Sequence, residues 1–505
     1  MRRLILALMS TEPVEPNPFS EPSPEDFDRF YGVIPAGGVG TRLWPLSRAA
    51  APKFLHDLTG SGSTLIRATY DRLRPLSGDR VMVVTGTLHR QAVRKQLPEI
   101  TNANLVLELE PKDSAAAIGL AAAILYKRDP NIIMGSFAAD QVIAPVDVFQ
   151  DAVREAIHTA AQGYIVTIGI HPTHAATGFG YIRAGDTLDI AGAPSAHAVV
   201  EFVEKPSAEV ARTYLANGRY SWNAGMFVAP VELMLKHLKA NEPELHSGLM
   251  EIAEAWDTPA RREVVRRVWP TLPKIAIDYA VAEPAAAAGD VAMIPGAFSW
   301  DDVGDFAAIG RLNPAAENSN LTVMGEGARV YSENASGIVV SDTKRVIALI
   351  GIEDVVIVDT PDALLVAPLS SSQKVKKVVE ELKQSGSDLI NVPQTVSRPW
   401  GTYSVLESTE RYKMKRIVVK PGKRLSLQKH LHRSEHWVVV SGTATVTVGK
   451  NVFYVRPNES TYIPVGEVHR LQNEGKLPLV IVEVQVGEYT GEDDIIRVED
   501  DFHRN

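Results

Sequence analysis

In the first part of the chain, apolar residues follow two rhythms by turns. Short runs dense in apolar and β-branched residues, Tyr31–Pro35, Val81–Thr85, Asn131–Ser136 and Tyr164–Ile170, predict strands. Between them, the spacing over Thr64–Leu73, Leu88–Leu97, Ala115–Lys127 and Val146–Gln162 predicts helices. Ser63 or Thr64 and Ser114 serve as N-caps and Gly163 as a stop. Strands and helices alternating at this length predict βαβ units and a mostly parallel sheet covered on both faces. The alternation continues less regularly to about Phe306. From Asn318 to Leu369 short strands take over, among them Ser336–Val340, Val346–Ile350 and Asp354–Asp359, which predicts a small all-β unit. Gln373–Gln384 reads as one amphipathic helix with Lys374, Lys376 and Lys377 on a solvated face. Residues 385–397, rich in Ser, Gly, Asn and Pro, read as a linker. Beyond them the Val-rich runs Arg416–Val419, His436–Val440, Ala444–Val448 and Leu479–Val486, separated by turns, predict a closed β-barrel or jelly roll. The expected division is therefore 1–30, 31–310, 311–384, 385–397 and 398–505.

Length and charge narrow the partners. The 505 residues suit three to four domains at about 150 residues each. A net charge of −9 argues against a nucleic-acid binder and leaves room for one basic phosphate pocket. No run of about 18 apolar residues offers a membrane span. Arg2, Arg3 and the run Leu4–Met9 look like the start of a signal peptide, but the run is of minimum length and no small-x-small cleavage site follows. The Pro-, Glu- and Ser-rich residues after it predict a disordered lead-in to residue 30. There is no cysteine, which excludes disulfides, thiolate metal sites, Fe–S clusters and cysteine nucleophiles, and suits a cytoplasmic protein.

Candidate chemistry begins at the end of the first strand. In Ala36-Gly37-Gly38-Val39-Gly40-Thr41-Arg42 three glycines free the backbone to face an anion, with Arg42, Arg48 and Lys53 close behind. The residues allow either a phosphate cradle or a glycine turn with solvent-facing arginines; the added basic groups favour the cradle. The spacing is not that of an ATPase P-loop.

The run Gly37 to Arg48 followed by Pro52-Lys53-Phe54 resembles the signature of sugar-nucleotide pyrophosphorylases, and its Leu43-Trp44-Pro45-Leu46-Ser47-Arg48 variant resembles mannose-1-phosphate guanylyltransferases. Further matches follow in order: Glu110–Ser114, Phe137–Gln141, Gly178–Ile182, Val203–Pro206, Trp222–Phe227, Ile277–Ala280 and Trp300–Gly304. The sequence departs from the family at Lys112-Asp113-Ser114, where Arg-Asn-Thr is common, and at Gln141, where His is common. The resemblance implies an α/β nucleotidyltransferase fold, Rossmann-like with a mixed sheet. It implies Gly37, Gly38, Gly40 and Thr41 on the nucleotide, Arg42 and Lys53 as catalytic cations, and Glu204, Lys205 and Asn223 on the sugar phosphate. Asp140 and Asp302 are two separated carboxylates suited to one Mg²⁺, or else caps of local turns.

In the last hundred residues Gln428, His430 and His432 stand two apart and are expected on one strand face. Gly422-x5-Gln428-x-His430-x4-Glu435-x6-Gly442 and Pro464-x-Gly466-x2-His469-x3-Asn473 are similar to the two cupin motifs. That likeness implies Gln428, His430, Glu435 and His469 as ligands of Zn²⁺ or another divalent transition metal. With Arg398-Pro399-Trp400-Gly401 and Tyr412–Arg416, the segment resembles the isomerase half of bifunctional type II phosphomannose isomerases, which implies His432 and Arg433 as catalytic groups. The expected substrates are GTP, mannose 1-phosphate and mannose 6-phosphate or fructose 6-phosphate, with no nucleic acid and no membrane; assembly as a homo-oligomer is left open. The alternatives are a guanylyltransferase alone, with the barrel as a sugar-binding regulatory module, or a pyrophosphorylase for another NTP or sugar.

Overall fold

The computed structural model describes residues 24–317 and 319–499. The signal-like start and most of the expected lead-in lie outside them; the end of that lead-in forms a short helix, Pro24–Asp28. Backbone contacts divide the chain into two units, one of residues up to 38 with 53–304, the other of 39–52 with 305 onward.

The first unit is built on a nine-stranded mixed sheet. Its strand order is Leu105–Glu108, Val81–Gly86, Phe30–Ala36, Ile133–Ser136, Tyr220–Pro230, Ile165–Ile170, Val291–Gly296, His197–Val203 and Tyr181–Thr187. The first four run parallel, and Tyr220–Pro230 enters antiparallel between Ile133–Ser136 and Ile165–Ile170. Val33 and Ile34 show why the strands read as continuous apolar runs: one faces the core under the Ser114–Arg128 helix, its neighbour the opposite core. That helix is apolar nearly all round and sits between the sheet and the Pro243–Ala255 helix, where Gly119 lies against Leu249 and Leu238. Its N-cap is Asp113, whose carboxylate accepts from Ser114 N at 2.8 Å; the expected cap, Ser114, instead accepts from Ile277 N.

The second unit contains two β arrangements. Leu321–Met324, Gly337–Ser341 and Val355–Asp359 stack in parallel, with Leu364–Pro368 antiparallel at the edge, while Arg329–Glu333 and Val346–Ile350 pair in parallel beside them. Successive turns of chain thus contribute rungs to a short β-helix around Leu321, Val339, Leu349 and Ile357. After the helix Val375–Gln384, two antiparallel sheets of six and five strands enclose one core. Ile417, Val439 and Ile481 come from the first sheet and Ala444, Val446 and Leu471 from the second, a jelly-roll arrangement.

Residues 385–397, expected as a linker, carry a 3₁₀ turn at Asp388–Ile390 and the start of the strand Thr395–Arg398. They also receive the signature segment: Ala49 N and Ala50 N donate to the carbonyls of Ile390 and Asn391, and Trp44 Nε1 donates to Leu389 O. Arg48, expected to add charge to a phosphate cradle, is 1% exposed and gives both Nη atoms to Asp362 at 2.6 and 2.7 Å. Removing one member of a buried pair leaves the other charge uncompensated, at a cost of about 3–5 kcal/mol. Asp362→Ala should therefore lower the unfolding midpoint of this unit markedly in a urea titration, and adding Arg48→Met should restore part of the loss. A single variant that melts like wild type would show the pair to be energetically idle.

Candidate functional site

The first strand ends at Ala36, and the chain turns through Gly37 and Gly38. A Cβ at either glycine would meet nothing within 4 Å, so the turn borders open space on that side. Gly38 (φ 75°) and Gly40 (φ 72°) adopt the left-handed backbone that glycine accepts at no cost. Two hydrogen bonds, Phe137 N to Val33 O and Ala139 N to Pro35 O, carry the next loop along this strand's end and deliver Asp140 beside it. Asp302 arrives by a different route. The short strand Ser299–Asp301 pairs antiparallel with Val142–Ala144, Asp301 opposite Val142, which brings the following residue level with Gln141. Lys53 joins them: its Nζ lies 2.9 Å from Asp140 Oδ2 and donates to the carbonyl of Asp302. Thr41 and Arg42 lie in a 3₁₀ turn, Thr41–Leu43, in the second unit, where Arg42 Nη1 donates to Gln373 at 2.9 Å.

A second constellation in the same unit surrounds Glu204. Lys205 Nζ reaches Glu204 Oε1 at 2.7 Å from a left-handed backbone (φ 47°). Burial works against the Lys205 charge, but the Glu204 hydrogen bond and carboxylate hold its pKa above the ordinary value. Asn223 is fixed on both sides: its Oδ1 accepts from Thr167 Oγ1 at 2.8 Å and Gly225 N at 3.0 Å, and its Nδ2 donates to Asp278 at 3.1 Å. A Cβ on Gly180 would fall 2.5 Å from Glu204 Oε2, so glycine is what lets the carboxylate approach. Asp278 belongs to this group although sequence reasoning gave it no role. Burial, then the Glu204 charge, pushes its pKa up to about 6.

Glu108 is another residue missed by the sequence reading. It closes the third parallel strand opposite Gly86, one register step beyond the Ala36–Thr85 pair, at the edge where α/β sheets bind ligands. Its carboxyl group is buried and makes no hydrogen bond or ion pair among the described residues; burial pushes its pKa up to about 7. A charged residue ending an apolar strand was the available signal.

In the jelly roll, three neighbouring strands change character at the same level. Val419 and Ile417, Leu479 and Ile481, and Val439 and Trp437 face the core; continuing along those same faces come Lys415 and Lys413, Glu483 and Gln485, and Glu435 and Arg433. The alternation of Glu483 and Gln485 in a Val-rich strand was the signal that went unread. Glu435 accepts from Arg433 Nε, Gln485 Nε2 and Trp437 Nε1 at 3.1–3.2 Å and lies 3.0 Å from His430 Nε2. Burial opposes its ionisation, but the His430 hydrogen bond and the Arg433 charge hold its pKa far below the carboxylate range. Burial and the Glu435 charge push Glu483 the other way.

His430, Glu435 and His469 present ligand atoms all within 4.8 Å of one another. His469 Nδ1 is bonded to Glu467 O at 2.9 Å, which fixes the tautomer and leaves Nε2 as a buried lone pair without a hydrogen-bond partner; burial also keeps the ring neutral. His430 Nδ1 is likewise orphaned, and Gln428 stands opposite His469 in register. The unpartnered His469 Nε2, 3.6 Å from the ionised Glu435 carboxylate, fits a divalent cation.

Residues 31–319 match the family model for nucleotidyl transferases, 329–382 that for the mannose phosphate isomerase/GMP-like beta-helix domain, and 385–500 that for the mannose-6-phosphate isomerase C-terminal domain. The chain is 39% identical over 487 residues to mannose-1-phosphate guanylyltransferase ManC of Salmonella typhimurium, covering 94% of this chain and 98% of that one. It belongs to the mannose-1-phosphate guanylyltransferase family. The xanthan biosynthesis protein XanB of Xanthomonas campestris is 40% identical over 478 residues, covering 94% and 98% of the two chains. A Thermus thermophilus structure titled mannose-1-phosphate geranyltransferase superposes with a TM-score of 0.61 at 30% identity, over 70% of this chain and 99% of that one. The protein is thus a nucleotidyltransferase carrying an isomerase-type C-terminal domain. Among the described residues no helix is long and apolar enough to cross a membrane.

For this guanylyltransferase-family chain, one expectation at the C-terminal site needs correction. The strand holding Gln428 ends at Lys429, so His432 does not share its face: it is half-exposed and bonds Asp494 through Nδ1 at 2.8 Å. Arg433 is 1% exposed, with Nε on Glu435 and Nη1 on Gly491 O at 2.8 Å. These contacts make it a brace for Glu435.

Proposed function

We propose that the chain transfers GMP from GTP to mannose 1-phosphate, releasing diphosphate, and that its C-terminal domain interconverts fructose 6-phosphate and mannose 6-phosphate. The observation that carries the first reading is the meeting of Lys53, Asp140 and Asp302 beside the Gly37–Gly38 turn. Mg²⁺ held by Asp140 and Asp302 would neutralise charge on the phosphates. Lys53 and the glycine amides bind phosphate oxygens, and Lys205 holds the sugar phosphate so that its oxygen faces the α-phosphate. Glu204 and Asn223 orient sugar hydroxyls.

The choice of GTP draws support from Glu108. A carboxylate complements the adjacent N1–H and N2–H₂ donors of guanine, and adenine has no such pair. With the glycine turn two strands away, about 10 Å at the usual strand spacing, phosphates and base fit along the sheet edge. Glu108→Gln should raise the KM for GTP and leave that for ITP, which lacks the 2-amino group, much less affected. Because the free carboxyl titrates near pH 7, affinity for GTP should rise from pH 6 to pH 8 in the wild type, with that increment missing in Glu108→Gln. Equal losses for GTP and ITP, with unchanged pH profiles, would count against a base-reading role.

For the isomerase reading, His430, Glu435 and His469 with Gln428 would hold Zn²⁺ or another divalent transition metal, which orients the C1 and C2 oxygens. Asp494 accepts from His432 Nδ1 and so leaves Nε2 to take and return a proton. Assaying diphosphate release from GTP and mannose 1-phosphate, and fructose 6-phosphate turnover, on one purified preparation tests both readings.

A further inference from the structure

Residues 490–494, between the strands Leu479–Gly487 and Ile496–Glu499, are bonded to three cations at the polar end of the jelly roll. Lys413 Nζ donates to Thr490 O at 2.9 Å, Lys415 pairs with Glu492, and Arg433 Nη1 donates to Gly491 O at 2.8 Å with Asp494 Oδ2 at 3.5 Å. Arg433 has a second partner in Glu435, but the two lysines lean on this one segment. Lys415 is buried and Lys413 half-buried. Both lie on the inner face, where Lys413, Gln485 and Glu435 form one row across three adjacent strands. At the usual strand spacing the row spans about 10 Å from Lys413 to Glu435, the scale of a hexose phosphate whose C1–C2 end is at Glu435. Arg398, over the Tyr403 ring that Lys415 also faces, adds a third positive group.

We propose that Lys413 and Lys415 form the subsite for the phosphate group of the sugar phosphate, and that Glu492 with its segment stands in for that phosphate and is displaced by it. The proposal rests on the isomerase reading for the identity of the sugar, and on the lysine row alone for the phosphate. A dianion replaces one carboxylate and a carbonyl, and the two ammonium groups gain by the exchange.

The test uses the full chain, with inorganic phosphate and fructose 6-phosphate as probes. Lys413→Met, at a half-exposed position, should abolish one inorganic-phosphate isotherm in calorimetry. It should raise the KM for fructose 6-phosphate by roughly 10- to 100-fold with a smaller change in kcat, leaving bound metal and guanylyltransferase kinetics as in wild type. Glu492→Gln should do the reverse, tightening phosphate binding and lowering that KM several-fold, a gain that misfolding cannot imitate. If wild type does not turn over fructose 6-phosphate but Lys413→Met still loses the phosphate isotherm, the isomerase reading falls and the subsite stands. Normal phosphate binding and KM in Lys413→Met, in an active isomerase, overturns the subsite. Unchanged or weaker phosphate binding in Glu492→Gln overturns the stand-in role.

Discussion

Asp140→Asn and Asp302→Asn should each slow diphosphate release from GTP and mannose 1-phosphate by about 100- to 10,000-fold, several kcal/mol at 1.36 kcal/mol per decade. The two aspartates reach the ligand edge through separate pieces of backbone, the loop hydrogen-bonded along the first strand and the Ser299–Asp301 ladder. Losing either carboxylate therefore leaves the other in place. The residual rate should respond to added Mg²⁺ with a weakened apparent affinity. Folding should be little disturbed, because Asp140 is partly exposed and Lys53, its partner, keeps its bond to the Asp302 carbonyl. Fructose 6-phosphate turnover should be that of wild type. Release at the wild-type rate at saturating Mg²⁺ would remove both residues from the reaction.

His469→Ala should strip the C-terminal site of metal. Partners outside a ligand set alone are worth about 10–100-fold in affinity, so loss of a ligand should exceed that, and metal analysis of the purified variant should read well below one equivalent. Isomerase turnover should disappear with the metal, and guanylyltransferase kinetics should not move. In the wild type, a chelator should produce the same selective loss, reversed by adding metal back. A variant that keeps a full equivalent of metal would mean that His469 is a core histidine. Retained metal in a chain without turnover of fructose 6-phosphate would favour the regulatory-module reading.

Much of this arrangement was legible in the sequence. Local patterns carried Val81–Gly86, Ser114–Arg128 and Val146–Ala161 nearly to their ends, since burial on a sheet or one helix face repeats at fixed intervals. The order of short runs from Gly37 to Gly304 located Lys53, Asp140 and Asp302, but their meeting depends on the pairing of Asp301 with Val142, which no local pattern specifies. His432 was misplaced because a period of two was carried beyond Lys429, where the strand stops. Glu483 and Gln485 were overlooked because polar residues in a Val-rich strand read as its solvent face; only the register with Glu435 and Trp437 shows them pointing inward. Arg48 was read as a ligand group because its partner, Asp362, lies in a part of the chain with no recognisable motif. Long-range partners, more than element type, were what the sequence withheld.

The Arg48–Asp362 pair also bears on how the protein is made. Arg48 leaves the ribosome 314 residues ahead of Asp362. At about 5–20 residues per second that is roughly 15–60 s of synthesis. For that interval the strands on either side of the signature segment can find their neighbours, while residues 39–52 lack Asp362; their carbonyl acceptors at Leu389, Ile390 and Asn391 come later still. A nascent chain interrupted between residues 304 and 362 would hold every strand of the first sheet but none of these partners of the signature segment. The last step in completing this enzyme's N-terminal signature thus waits on translation of its C-terminal third.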